Sequence, residues 1–406
     1  GWYALLFVLC LAVSEKMTWR EGLALIILLA TIPLWRTLLY SNLKVNDVVL
    51  AGLPIFENPA DVTDHLTNPF WFLGLVSILI PLSASSLKSW FVPVLCTVGA
   101  IYYINTSMFK DSNYIDEMRM SRAAEADNWK EVIRIFSNAS TPTQSMITLK
   151  NVALMNEGTL LDRSFQLGND VVPIHNPDSL HVSFLEIASP IAYYNYGLIN
   201  EGFRLAFECA EQSGFSPLYL KMMSRCALAN GETKLVERYT EMLHHHPFYA
   251  DWQPAPVTAK IKDLKRAYTD ELSGVEHSYT YIINSLSVWD STTTKVGSEQ
   301  ALFYSILRCD SRRFWPSLRQ YLKLHKGEEF PRHAQEAYIM FMDKAPEEKR
   351  MMVPVSQEVY DRYRAMWADF EKYATSGLSK DEVKSKMKHD YGDTFWYFNV
   401  FGTKFY

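Results

Sequence analysis

The chain has 406 residues, a formal net charge of -5 and a pI near 6.1. Its Lys and Arg residues are scattered, which argues against a nucleic-acid partner, since that would require a dense basic face. The mean hydropathy of -0.09 averages two unlike parts: four apolar runs before about residue 104, then a charged, helix-rich remainder.

The first apolar run, residues 2–13, has neither a methionine nor a basic segment before it and reads as the tail of a longer membrane helix, not as a signal peptide. The second, 22–40, carries Arg36 near one end, where a long side chain can reach the interface. The third and fourth, about 69–84 and 90–104, approach the ~20 residues of a membrane crossing once their flanks are counted. Trp71, Trp90, Tyr102 and Tyr103 sit at run ends, as an aromatic belt would. Residues 1–104 are therefore expected to form about four transmembrane helices in the lipid bilayer. Lys16 and Arg20 lie in one short loop and Lys88 in another on the same side. The positive-inside rule makes that side cytoplasmic and puts loop 41–68 and everything after Ile104 on the outer, periplasmic side.

Loop 41–68 contains Asp47, Glu57, Asp61, Asp64 and His65. Carboxylates at a membrane face can act as bases or hold a divalent ion, so Asp61 and Asp64 are the candidate catalytic pair. A solvated outer loop is the favoured alternative.

Residues 105–113 read as a linker and 114–406 as an array of helical hairpins. The first pair covers about 114–126 and 129–136, turning at Asp127 and Asn128. Thr141 and Pro142 supply a cap and first turn for the next helix, which ends at Glu157 and Gly158. A short helix over about 159–165 precedes a loop rich in Asn, Pro and Asp. From 190 to 247 four amphipathic helices follow one another, with short polar turns at Gly197 and Gly231. One such pair cannot bury both of its faces, so pairs must stack on neighbours. The turns at Asn128, Gly158, Gly197 and Gly231 are about 30, 39 and 34 residues apart, bracketing the ~34 of a tetratricopeptide (TPR) unit. The fold class expected is all-α, a TPR-like α-solenoid behind transmembrane helices.

Beyond a break at 247–256, periodicity resumes over 258–289, 298–308, 312–324 and 331–343. A strong amphipathic helix spans 356–374, and Ser379 with Glu382 forms a capping box for a last short helix. The tail 395–406 holds seven aromatic residues and is expected to pack back over the final helices.

No HExxH, paired CxxC, GxSxG or glycine-rich phosphate loop occurs, so no cofactor is indicated. Cys209, Cys226 and Cys309 form no disulfide framework, although Cys209 and Cys226 could face each other across adjacent helices. His244, His245 and His246 offer a weak metal site or, more simply, a polar helix end. Arg119 and Arg122, with Glu117, either bind a charged ligand in the array's groove or form an ordinary surface set. Tyr193, Tyr194 and Tyr196 suggest sugar or peptide binding, against which stands plain hairpin packing.

Several segments together resemble an uncharacterised family of bacterial multipass membrane proteins with a C-terminal TPR-like domain. They are NYIDEMRMSRAAEADNWKEVI, TPTQSMITLKNVALMNEGTLLDRSF, IAYYNYGLINEGFRLAFE, VERYTEMLHHHPFYADW, FPRHAQEA and YGDTFWYF. The resemblance covers about residues 114–400 and implies an architecture, with further membrane helices upstream, but no chemistry. The function expected is a scaffold integral to the bacterial inner membrane that binds a protein or peptide partner in the groove of its repeats. The alternative is a membrane enzyme or transporter for a lipid-linked sugar, with the repeats as accessory.

Overall fold

The computed structural model describes residues 2–14, 19–38, 70–78, short pieces within 94–106, then 112–139, 142–169, 185–246, 248–267, 294–342 and 352–402. Among these residues every regular element is helical. Helices α1 (Trp2–Ser14) and α2 (Trp19–Leu38) pack on each other. No helix among the described residues is long and apolar enough to cross a membrane; much of the third and fourth apolar runs lies outside the described residues. At 1.5 Å per residue, the 13 residues of α1 reach about 20 Å of a ~30 Å hydrocarbon core. The 20 residues of α2 carry Arg20, Glu21 and Arg36 near their ends, which shortens the apolar stretch. Its surface is nonetheless apolar on several sides, with Ile26, Ile27, Leu34 and Leu38 all exposed.

From residue 112 onward the helices are α3 (Ser112–Glu125), α4 (Trp129–Asn138), α5 (Gln144–Asn156), α6 (Leu160–Arg163), α7 (Leu185–Asn195), α8 (Ile199–Ser213), α9 (Pro217–Asn230) and α10 (Thr233–His244). There follow α11 (Ala259–Ala267), α12 (Lys295–Leu307), α13 (Ser311–Leu324), α14 (Arg332–Met342), α15 (Gln357–Thr375), α16 (Lys380–Tyr391) and α17 (Phe395–Phe401). Consecutive helices pack on one another from α3 to α5 and from α7 to α10, and α5 joins the two groups through α7. Helix α14 gathers α6, α12, α15 and α17 around itself.

One turn recurs. In the pairs α3/α4, α5/α6, α7/α8, α9/α10 and α12/α13 a left-handed residue precedes the cap of the second helix. The five residues are Asp127, Gly158, Gly197, Gly231 and Cys309, with φ between 53° and 81°. In each turn, two successive amides bond back across the end of the first helix, as Gly197 N–H to Tyr194 O and Leu198 N–H to Tyr193 O do. The pattern is that of a Schellman closure, which satisfies the last carbonyls of the first helix. Three of the five carry the glycine that this conformation favours. At the first, Asp127 is held by Arg225 of α9, whose guanidinium donates to both carboxylate oxygens at 2.6 and 2.8 Å and lies over the Tyr194 ring. Burial works against the Arg225 charge, but Asp127 more than offsets it and the pKa is raised. The ion pair thus ties the first hairpin to the fourth.

The capping box at Ser379 and Glu382 forms as expected, and Ser356 caps α15. At α5 the cap is Thr143, whose hydroxyl accepts from Met146 N–H. Pro142 therefore precedes the cap instead of opening the helix. The described part of the aromatic tail packs on the final helices, as expected, and also reaches inward. Its Phe395 ring lies 5.5 Å from Phe165 and 5.6 Å from Phe341, and Trp396 lies 5.1 Å from Tyr363, so α17 is built into the interior.

Candidate functional site

Two groups of polar side chains are sealed inside the helical region. In the first, Glu336 of α14 accepts from His333 Nδ1 at 2.8 Å, from Phe395 N–H at 2.8 Å and from Arg332 Nε at 3.0 Å. Its backbone carbonyl accepts from the Trp396 indole at 2.7 Å. Phe165 N–H donates to His333 Nε2, which assigns the ring hydrogen to Nδ1. Arg332 continues to Asp393, which also receives Arg362. Burial opposes the Asp393 charge, yet the two arginines hold its pKa below the ordinary value. In the second group Lys150 Nζ donates to Ser164 O, Gly168 O and Asn169 Oδ1, and lies over the Phe136 ring. His333, Glu336 and Lys150 have no more than 1% of their surface exposed. A substrate cannot reach them, and their hydrogen bonds satisfy groups that would be costly to bury unpaired.

A site open to solvent lies between α3 and α4, where a cleft of about 510 Å³ runs along the hairpin. Arg119 and Arg122 stand on one wall and Arg134 on the other, above a floor of Ala123, Ala126 and Ile135. The lining extends from Asp116 to Ala126 on one side and from Asn128 to Asn138 on the other. Ten residues at 1.5 Å give a length of about 15 Å. Glu131 receives both Nε and Nη2 of Arg134 at 2.6 Å, and this hydrogen bond lowers its pKa. Arg119 is held more loosely, 3.6 Å from Asp116 and two-thirds exposed. The Arg122 side chain forms no hydrogen bond or ion pair among the described residues and is exposed. Such solvent-facing pairs are weak and screened by salt, so an incoming anion can displace them.

The structure therefore brings together two sequence candidates, Arg119 and Arg122, and adds Arg134 and Glu131, which the sequence reading missed. Their i, i+3 spacing on the neighbouring helix was the available signal. Other candidates fall elsewhere. Tyr193, Tyr194 and Tyr196 are at most 1% exposed, so the binding role is corrected to hairpin packing. The Tyr196 and Tyr304 hydroxyls bond to each other in the core, and burial raises the Tyr196 pKa. The three histidines diverge: His244 Nε2 meets Trp252 O, His245 Nδ1 meets Glu241 O, and the His246 ring lies against Phe248 and Tyr249. No group of three metal-ligating side chains occurs among the described residues. Cys209 and Cys226 are not joined in a disulfide. Asp61 and Asp64 lie outside the described residues.

No curated protein and no solved structure matches the chain. A family model matches residues 1–402, nearly the whole length, and its description is a family of unknown function. That match agrees with the sequence resemblance in the absence of any assigned chemistry and extends it through the apolar N-terminal part. The chain belongs to this family of unknown function, DUF6057.

Proposed function

We propose that the protein is a membrane-anchored helical scaffold of the bacterial cell envelope that docks a protein or peptide partner on TPR-like helix pairs. The observation that carries this reading is the cleft between α3 and α4, which presents arginines to solvent while the polar groups around Glu336 and Lys150 are closed off. The five equivalent turns support a repeated hairpin unit. Anchoring is supported by where apolar surface is exposed: among the described residues, all exposed large hydrophobics except Ile115, Phe248, Met352 and Val400 precede residue 107. Apolar surface in that quantity marks a membrane or protein contact. By the charge rule applied to Lys16, Arg20 and Lys88, the helix pairs stand on the periplasmic face of the inner membrane.

The test is site-specific photo-crosslinking in cells. A photoreactive residue at Asn138, in the cleft, is expected to trap a discrete protein that the same residue at exposed Lys234 does not trap. Equal products from both positions, or none from Asn138, refute docking at the cleft. Alkaline extraction of the membrane fraction tests the anchor, and release of the chain into the supernatant refutes it.

A further inference from the structure

The docking reading leaves the chemistry of the partner open, and the cleft itself narrows it. Its length of about 15 Å matches four or five residues of extended chain at ~3.3 Å each, whereas a single phosphate would occupy only one part of it. The walls carry three guanidinium groups against two carboxylates, Asp116 and Glu131. Both carboxylates sit three residues from an arginine on their own helix, and neither belongs to Arg122. The floor of Ala123, Ala126 and Ile135 is small and apolar, and Asn128 and Asn138 place side-chain amides within the lining. A planar guanidinium recognises a carboxylate through paired hydrogen bonds.

We propose that the cleft between α3 and α4 binds an extended acidic peptide segment of the partner, in which carboxylate side chains alternate with small apolar ones. The carboxylates pair with Arg122 and Arg119, displacing the loose Asp116 contact, and the apolar side chains rest on Ala123 and Ala126. Arg134, already bound in two places by Glu131, forms the opposite wall and contributes less. This inference rests on the cleft being the docking site.

The experiment is fluorescence anisotropy with the full chain in detergent micelles and a labelled pentapeptide alternating alanine with glutamate. The same peptide with lysine for glutamate, and inorganic phosphate as competitor, complete the set. The glutamate peptide is expected to bind at least about tenfold more tightly than the lysine peptide, a margin of the size one charge-assisted hydrogen bond supplies. Arg122→Glu should reverse that preference, and Asp116→Asn should tighten glutamate binding by removing a competitor for Arg119. Both positions are on the helix surface, and the gain expected of Asp116→Asn cannot come from misfolding. Equal binding of the two peptides, or indifference to both substitutions, overturns the proposal. So does failure of the glutamate peptide to bind in phosphate-free buffer. Crosslinking at Asn138 without a preference for glutamate leaves docking standing and removes only its acidic chemistry. A glutamate preference without crosslinking removes the docking reading instead.

Discussion

Replacing Glu336 by Gln tests whether the buried polar group around α14 holds the C-terminal helix in place. The two side chains have nearly the same shape, so the change removes a charge and one acceptor while opening no cavity. In the native arrangement Oε2 accepts from His333 and Phe395, and Oε1 accepts from Arg332. A glutamine can keep one oxygen as acceptor, but its NH2 must then face a donor. The cheaper orientation keeps the oxygen toward His333 and Phe395 and turns the NH2 toward Arg332 Nε. It loses one charge-assisted bond, worth about 1.5–3 kcal/mol. Removing one member of a buried ion pair outright costs about 3–5 kcal/mol. Here Arg332 retains Asp393 at 2.8 Å, so its charge is not stranded. The expected loss is therefore about 2–4 kcal/mol, read from urea unfolding of the full chain in detergent. Hydrogen exchange at Phe395 should quicken with it, because its amide donates to the altered side chain. A loss below about 0.5 kcal/mol, the range of ordinary surface changes, refutes the reasoning. So does unchanged protection at Phe395.

Gly197→Ala should destabilise well beyond Gly231→Ala. Both glycines are left-handed, but a Cβ at 197 would lie 2.6 Å from Leu264 Cβ and 2.7 Å from the backbone of α11, whereas none would meet an atom within 4 Å at 231. Thermal unfolding is expected to give about 1 kcal/mol at 231 and about 2–4 kcal/mol at 197, strain and overpacking together, and equal losses refute the close approach. Glu299→Gln should stabilise the chain above neutrality. Burial raises the pKa of this carboxyl, although Lys260 and His325 oppose the rise. The folded state then binds its proton more tightly than the unfolded state does, so the penalty is complete above the folded pKa and fades as pH falls toward the unfolded value. The stability gap between Gln and Glu, followed by urea midpoints from pH 8 to pH 5, should narrow on acidification; a constant gap refutes the assignment.

Much of the helical order was legible because glycine marks the turns. Gly158, Gly197 and Gly231 each sit where a left-handed residue is required, and the six helices that flank them change over at those turns as expected. The turn at Cys309 was not legible as one of the set, since a cysteine at φ 53° gives no glycine signal. At α5 the cap expected at Thr141 is instead Thr143, because two threonines two residues apart can each accept from a first-turn amide and local sequence does not separate them. In the site, Arg119 and Arg122 could be paired from their spacing on one helix. Arg134 could not be joined to them without knowing how α4 lies against α3. Lys150 was the hardest to foresee, because a charge within a helical pattern reads as a solvated face. Its partners Ser164, Gly168 and Asn169 follow it by 14 to 19 residues and meet it only in the folded chain. The contact of Phe165 with His333, 168 positions apart, lies beyond any local signal.

Three of the segments that carry the family resemblance meet in one place. TPTQSMITLKNVALMNEGTLLDRSF brings Asp162, Ser164 and Phe165; FPRHAQEA brings Arg332, His333 and Glu336; YGDTFWYF brings Asp393, Phe395 and Trp396. Arg332 N–H donates to Asp162, Phe165 donates to His333, and Phe395 and Trp396 donate to Glu336. The bonds to His333 and Glu336 lie in the buried core, where each donor and acceptor constrains the others and a half-satisfied set would be worse than an apolar core, while Arg332 meets Asp162 at the surface. Such a network fixes the fold and offers nothing to a substrate. The segment NYIDEMRMSRAAEADNWKEVI differs in kind. Its Asp127 is paired with Arg225 of α9, while Arg119 and Arg122 of the same segment remain in solvent along the cleft. A rigidly held hairpin with under-used guanidinium groups has the features of a binding surface, and a partner should be sought there before any chemistry is sought in the interior.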